Sequence, residues 1–178
     1  DKFIEEEELE SESVFQKISE ELTKTLQDVD KMRVSEGKAL LAKIEGFVHK
    51  VAKNLDQINS HSEDIKAEVF ENYKEKIEDL LQDSDIDDER ILQEAAIIAK
   101  KIDITEECDR AQSHIQQFNK YLKSEKEQTG KKLNFLAQEI HRELNTIGAK
   151  SNDSTISHLV VEDKNEIEKI KEQIRNIL

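Results

Sequence analysis

Residues 14–58 read VFQKISEELTKTLQDVDKMRVSEGKALLAKIEGFVHKVAKNLDQI. Phe15, Ile18, Leu22, Leu26, Val29 and Met32 recur three or four positions apart, which puts them on one face of an α-helix. The stripe resumes beyond Gly37 as Leu40, Ile44, Val48, Val51, Leu55 and Ile58. Glycine inside a helix costs about 1 kcal/mol but does not break it. The spacing therefore predicts one helix of about 70 Å over 14–59, at 1.5 Å per residue. Asn59-Ser60-His61-Ser62 is the expected interruption, yet the phase returns as Ile65, Val69, Tyr73, Ile77 and Leu80. A 3-4 pattern sustained this long reads as a coiled coil.

Composition agrees. The 178 residues include no proline and only four glycines. A β-sandwich or barrel needs turn residues about every 8–12 positions, so the chain reads as all-α. No apolar run approaches the ~20 residues of a membrane span, and no secretory leader opens the chain. The single Cys108 cannot form an internal disulfide, which favours a reducing, cytoplasmic setting. A chain that opens at Asp1 reads as part of a longer protein.

Outward from the long stripe, Glu5 to Glu12 form an acidic run expected to be a linker. Gln82-Asp83-Ser84-Asp85 closes the stalk, and Asp87 suits the cap of a helix over 88–102. Asp103, with Glu106 three residues on, suits a capping-box variant opening a helix that runs to about Glu127. Thr129-Gly130 reads as its C-cap. A further helix is expected over 131–148, and Ser151-Asn152-Asp153 caps a last one bearing Ile156, Val160, Ile167, Ile170, Ile174 and Ile177. The expected organisation is an acidic linker at 1–12, a helical hairpin or coiled-coil stalk at 13–86, and a bundle of shorter helices at 87–178.

The net charge of -14 is uneven, at -8 over 1–30, +3 over 31–60, -11 over 61–109 and +2 over 110–178. Phosphate binding draws on Lys and Arg, so the last third alone keeps a nucleic-acid reading open; a solvated helical surface is the plain alternative.

Two helices carry polar side chains beside their apolar stripes. In 104–127 the stripe is Ile104, Cys108, Ala111, Ile115, Phe118 and Leu122, flanked by Glu107, Arg110, His114 and Tyr121. In 131–148 it is Leu133, Leu136, Ile140, Leu144 and Ile147, flanked by Glu139, Glu143 and Thr146. Gln138, Arg142 and Asn145 lie opposite, and Phe135 points with them. Antiparallel packing would bring Glu107 and His114 towards Glu139 and Glu143, a carboxylate-imidazole set able to hold Mg²⁺ or Mn²⁺. Surface ion pairs such as Glu107-Arg110 are the alternative. Phe135 suits either packing on a neighbour or stacking under an unpaired base. Lys150 suits either the dipole of a helix C-terminus or a phosphate. Cys108, on a core stripe, reads as a structural thiol.

The string Gly130-Lys131-Lys132-Leu133-Asn134-Phe135-Leu136, with Gln138-Glu139, Arg142-Glu143, Asn145-Thr146-Ile147-Gly148 and Lys150, resembles the C-terminal signature of the bacterial YicC/YloC family. Asp103-Ile104-Thr105-Glu106-Glu107, Arg110, Ser113-His114 and Phe118 also fit, as do Met32-Arg33, Glu36-Gly37 and Ser157-His158-Leu159-Val160-Val161. Asn134 and His141 depart from it, where the family usually carries Asp and Asn. The resemblance covers nearly the whole chain. It implies a cytoplasmic, stress-associated endoribonuclease that uses a divalent metal, manganese especially, and assembles as a homo-oligomer with a hexamer expected. It also implies a separate N-terminal α+β domain, which this sequence does not contain.

Joining resemblance to helical faces, the expected metal ligands are Glu107, His114, Glu139 and Glu143. The expected catalytic residues are Glu139, Glu143, His114 and Arg142. The expected RNA-binding residues are Arg110, Lys131, Lys132, Phe135, Asn145 and Lys150. The rival reading is a coiled-coil oligomerisation and RNA-docking module without chemistry of its own.

Overall fold

In a computed structural model of the chain, residues 2–80, 88–124 and 129–175 are described, with side chains at 12–76, 93–124 and 129–175. Five helices account for almost all of them: α1 (Lys2–Leu80), α2 (Asp88–Lys101), α3 (Thr105–Leu122), α4 (Thr129–Lys150) and α5 (Ser154–Arg175). No strand occurs among the described residues.

The chain divides into two units, Asp1–Ala42 and Lys43–Leu178. The first is helix alone. Its stripe is solvent-facing from Phe15 to Met32, with Phe15 73% exposed and Val29, the most covered, 47%. The second unit is a bundle. Ile44, Val48, Val51, Leu55 and Ile58 of α1 are buried together with Phe118 of α3, Leu144 of α4 and Ile167 of α5. Neighbouring helices run antiparallel, as up-down bundles do, and cross-helix pairs fix their register. Lys50 and Asn54 of α1 meet Glu166 and Asp163 of α5 at 2.9 and 2.7 Å. Lys66 of α1 reaches Asp103 and the Thr105 hydroxyl at the start of α3, at 2.5 and 2.8 Å. A Cβ on Gly148 of α4 would stand 3.2 Å from Val160 Cγ1 of α5, so glycine permits the close approach there.

This division differs from the expected one. Helix α1 from Lys43 onward belongs to the second unit, because it carries both the buried stripe and the polar groups that seat it on α5. The acidic stretch expected as a linker is helical from Lys2. Glutamate is a good helix former and no Gly or Pro interrupts it. Asn59 to Ser62 do not interrupt α1 either; the Ser62 hydroxyl donates to the Asn59 carbonyl at 2.9 Å, a bond made within the helix.

The boundaries follow local chemistry. Asp103 Oδ1 accepts from the Thr105 backbone N–H at 3.0 Å. Glu106 does not close a capping box; it pairs with Arg110. Asp153 caps α5 by accepting from the Ile156 N–H at 2.9 Å. Helix α3 stops at Leu122, earlier than Glu127. Thr129-Gly130 is not a C-cap but the first turn of α4, with Gly130 buried. Helix α4 runs through Gly148 to Lys150. The expected turn at 82–85 and cap at Asp87 lie outside the described residues, as do the side chains of Ile77 and Leu80 and residue Ile177.

One polar pair sits inside the bundle. Asp163 is 0% exposed, on the stripe between Val160 and Ile167. Its Oδ1 accepts from Asn54 Nδ2 at 2.7 Å, while its Oδ2 is buried without a hydrogen bond. Burial pushes the Asp163 carboxyl up to about 7, against the opposing Asn54 hydrogen bond and the Lys50 charge, with Glu162 and Glu166 adding to the rise.

Candidate active site

The flanks of α3 and α4 meet along an antiparallel seam. Glu107 pairs with Lys150 at 2.8 Å at one end. One turn on, Arg110 pairs with Glu143 at 3.1 Å. At the other end the Lys132 ammonium stands 5.0 Å from the centre of the Tyr121 ring, a cation-π distance. Because both helices rise equally per residue, these pairs set His114 and Glu139 at the same level of the seam, between Arg110-Glu143 and Tyr121-Lys132.

Arg110 is the hub. It reaches Glu107 at 3.2 Å and Glu106 on its own helix, besides Glu143 across the seam. Glu107 and Glu143 are buried, at 3% and 7% exposure, whereas the Arg110 side chain is 41% exposed. The carboxylates thus lie beneath a guanidinium that still faces solvent. The Glu143 hydrogen bond holds the Arg110 guanidinium above even its usual high range, burial opposing. Burial alone would raise the Glu107 carboxyl, but the Lys150 hydrogen bond and the charges of Lys150 and Arg110 outweigh it and hold it below the usual carboxylate range. Lys150 also donates to the Asp103 carbonyl at 3.2 Å, tying the end of α4 to the start of α3. Glu107 Oε2 and His114 Nδ1 are buried with no hydrogen-bond partner.

The remaining expected residues lie elsewhere on α4. Arg142 is well exposed and stands 3.8 Å from Glu139 on its own helix. Phe135 is 57% exposed. Asn145 lies one turn from His141, with its amide nitrogen 3.1 Å from His141 Nδ1. Lys131 is exposed on this face and Lys132 at the seam. The structure therefore brings Glu107, Arg110, Glu143 and Lys150 together, sets His114 and Glu139 beside them by register, and leaves Arg142, Phe135, Lys131 and Asn145 outside the pairs that close the seam.

Among the described residues no group of three or more His, Cys, Asp or Glu side chains is placed to hold one metal ion. Glu107 and Glu143 are each committed to a cation of the protein, with the Arg110 guanidinium between them. This donor arrangement does not fit a preformed metal centre within one chain, so no step is derived through a metal. Cys108 is a buried thiol pushed up to about 12, first by burial and then by Asp109 and Glu107, and is not a nucleophile.

Sequence reasoning missed two features. Lys66 was not singled out, although it joins α1 to Asp103 beside the seam. The helical spacing places Glu107 on a flank, yet it is buried; its place one position before Cys108 on the core stripe is the signal for that burial.

A helical seam of buried carboxylates under solvent-facing basic groups is the setting in which the comparisons fall. Residues 58–178 match the family described as Endoribonuclease YicC-like, C-terminal, and the chain belongs to that family. It is 41% identical over 182 residues to a protein named probable endoribonuclease YicC from Clostridioides difficile (strain 630), covering 98% of this chain and 59% of that relative. A protein of the same name from Haemophilus influenzae is 34% identical over 152 residues, covering 85% of this chain and 52% of the relative. The chain thus spans between half and three fifths of the length of these relatives.

Proposed function

We propose that this chain is the helical portion of an endoribonuclease and that RNA phosphodiesters are hydrolysed at the α3–α4 seam. Family membership supports the activity. The observation that carries the site is the Arg110 guanidinium, solvent-facing yet held from below by buried Glu107 and Glu143. A planar guanidinium fixed in this way offers its remaining N–H groups to phosphate oxygens in a fork. Lys150 supplies a second cation at the same end of the seam. His114, with a buried ring nitrogen free of any hydrogen bond, is the group able to take or give a proton there. Glu139, level with it, is the second. Arg142 on the exposed face, with Lys131, Lys132, Phe135 and Asn145, would extend the track along the strand by charge and stacking.

Dependence on Mn²⁺ or Mg²⁺, the stress association, a homo-oligomeric and specifically hexameric assembly, and a cytoplasmic setting belong to the same proposal on the family resemblance. No described helix is long and apolar enough to cross a membrane.

The test is cleavage of an end-labelled RNA by the 178-residue chain, with Mn²⁺ and with EDTA, beside Glu139→Ala and Arg110→Ala. Cutting by the parent chain and its loss in both variants, with helicity unchanged, is the expected result. Cutting by Glu139→Ala at the parent rate overturns the assignment of Glu139.

A second reading is kept by one observation. The apolar stripe from Phe15 to Met32 is solvent-exposed along the part of α1 in the first unit, and an isolated helix is marginal without a packed face. Under that reading the chain is a coiled-coil oligomerisation and RNA-docking module. A folded chain that binds RNA and does not cut it is the result that favours it.

A further inference from the structure

Beside the Lys150 end of the seam lies a partly open pocket of about 150 Å³, lined by α1, α2 and the α4–α5 connection, all within the second unit. Its apolar wall is aliphatic, with Ile65, Val69, Ile98, Ile102 and Ile156 among its side chains, and Tyr73 supplies an aromatic ring. One end is polar, formed by Ser62 and the 151–153 connection. The polar groups there differ in what they have left to offer. Ser62 donates its hydroxyl to the Asn59 carbonyl. Asp153 Oδ1 is occupied by the Ile156 N–H at 2.9 Å and lies 3.3 Å from His61 Nε2. Ser151 Oγ is buried and has no hydrogen-bond partner within the chain.

A buried hydroxyl without a hydrogen bond is uncommon in native proteins and calls for an explanation. An engineered apolar cavity of about this volume accepts one benzene ring, so the space suits a single six-membered ring. A purely aliphatic guest would leave the Ser151 hydroxyl unfilled. An anionic guest would meet isoleucine walls and the Asp153 carboxylate, and a free sugar would bury more hydroxyls than the polar end can pair. What fits is a flat ring with apolar faces and a hydrogen-bonding edge. Enzymes and binding modules that take unpaired bases hold them in this manner, between apolar side chains with the edge read by hydrogen bonds. Lys150 directly precedes Ser151 in the chain, and its ammonium is at the seam.

We propose that this cavity is a base-binding subsite that takes one unpaired pyrimidine, with Ser151 Oγ hydrogen-bonded to the base edge and the attached phosphate towards Lys150. This rests on the reading that the chain acts on RNA, but the two are separable by experiment. Isoleucine methyl NMR of the 178-residue chain, titrated in turn with uridine, adenosine, ribose and benzene, reads the cavity without any cleavage. Uridine is expected to shift the Ile98, Ile102 and Ile156 methyls, adenosine to do so more weakly and ribose not at all. Ser151→Ala is expected to weaken uridine about five-fold, the worth of one hydrogen bond, and to leave benzene binding unchanged. Absence of uridine shifts, a preference for adenosine, or indifference of uridine to Ser151→Ala overturns the proposal. Benzene binding without uridine binding does so too, showing an apolar void only. If uridine binds as expected while the RNA assay gives no cutting, the catalytic reading falls and the subsite stands. If RNA is cut while uridine leaves the methyls unmoved, the subsite falls alone.

Discussion

Replacing Asp163 with Asn should make the bundle more stable at neutral and alkaline pH, and the gain can be worked from its surroundings. Asp163 is fully buried, with one oxygen bonded to Asn54 and the other to nothing. Its carboxyl, pushed up to about 7 from an ordinary 3.8, binds a proton in the folded chain that the unfolded chain has already released. A folded value above the unfolded one gives a contribution that is intact below the unfolded value of 3.8 and is lost as pH rises through the folded value. Each unit of difference is worth about 1.4 kcal/mol, so the loss between pH 4 and pH 8 comes to about 4 kcal/mol. Asparagine has nearly the same shape, keeps an oxygen for Asn54 Nδ2 and does not titrate. Asp163→Asn should therefore match the parent below pH 4 and exceed it by about 2–4 kcal/mol at pH 8, part of the gain being offset by the amide's own unpaired N–H groups. Urea unfolding followed by circular dichroism at pH 4, 6 and 8 measures this directly. Parallel pH curves for parent and variant would refute the reasoning, because they would mean that Asp163 ionises in the folded bundle as freely as in the unfolded chain.

Lys150→Met should destabilise the bundle by about 2 kcal/mol, since it strips buried Glu107 of its nearest cation; denaturant unfolding reads that loss, and RNA affinity at low salt should fall with it. Gly46→Ala should raise stability by about 0.5–1 kcal/mol, because Gly46 lies within α1 and nothing stands within 4 Å of an added Cβ; a lower melting temperature would count against a continuous α1. The losses of cutting described for Glu139→Ala and Arg110→Ala should come without a change in melting temperature for Glu139→Ala, whereas Arg110→Ala, which uncovers Glu107 and Glu143, should also melt earlier.

Much of this architecture can be read in the sequence, because a four-helix core needs little more than spacing. The 3-4 recurrence of Ile44 to Ile58 and of Leu133 to Ile147 gives both the helices and their buried faces, and the structure buries those side chains. The seam was legible in part: Glu107, Arg110 and His114 share a flank of α3, Glu139 and Glu143 share one of α4, and antiparallel packing brings the flanks together. The Glu107–Arg110 pair within α3 was legible from its i,i+3 spacing, whereas the partner each acid takes across the seam was not. Periodicity gives the face of a residue but not the register between helices, and the register pairs Glu107 with Lys150 rather than with another carboxylate. Thr129-Gly130 misled for a related reason. Glycine beside a polar residue marks a helix end without saying which end, and here it opens α4. The boundary at Lys43 was hidden because one uninterrupted heptad pattern runs across it, and only tertiary contacts separate the part that is covered from the part that is not. Asp163 is absent from the sequence reading, although an acid on an apolar stripe, three residues beyond Val160 and four before Ile167, is the sign of the polar clasp with α1 that the structure shows.

Lys150 closes the α3–α4 seam by holding Glu107 and the Asp103 carbonyl at once, where the negative end of one helix dipole meets the positive end of another. A phosphate that takes this ammonium must draw it away from a buried acid that then keeps only Arg110. Capture of a nucleic acid at this spot is thus an exchange of one anion for another, and the same exchange loosens the joint between α4 and α3. Grip on the ligand and rigidity of the scaffold are set against each other in a single side chain, so a chain that holds RNA tightly here should breathe more at the C-terminal end of α4 than the same chain alone.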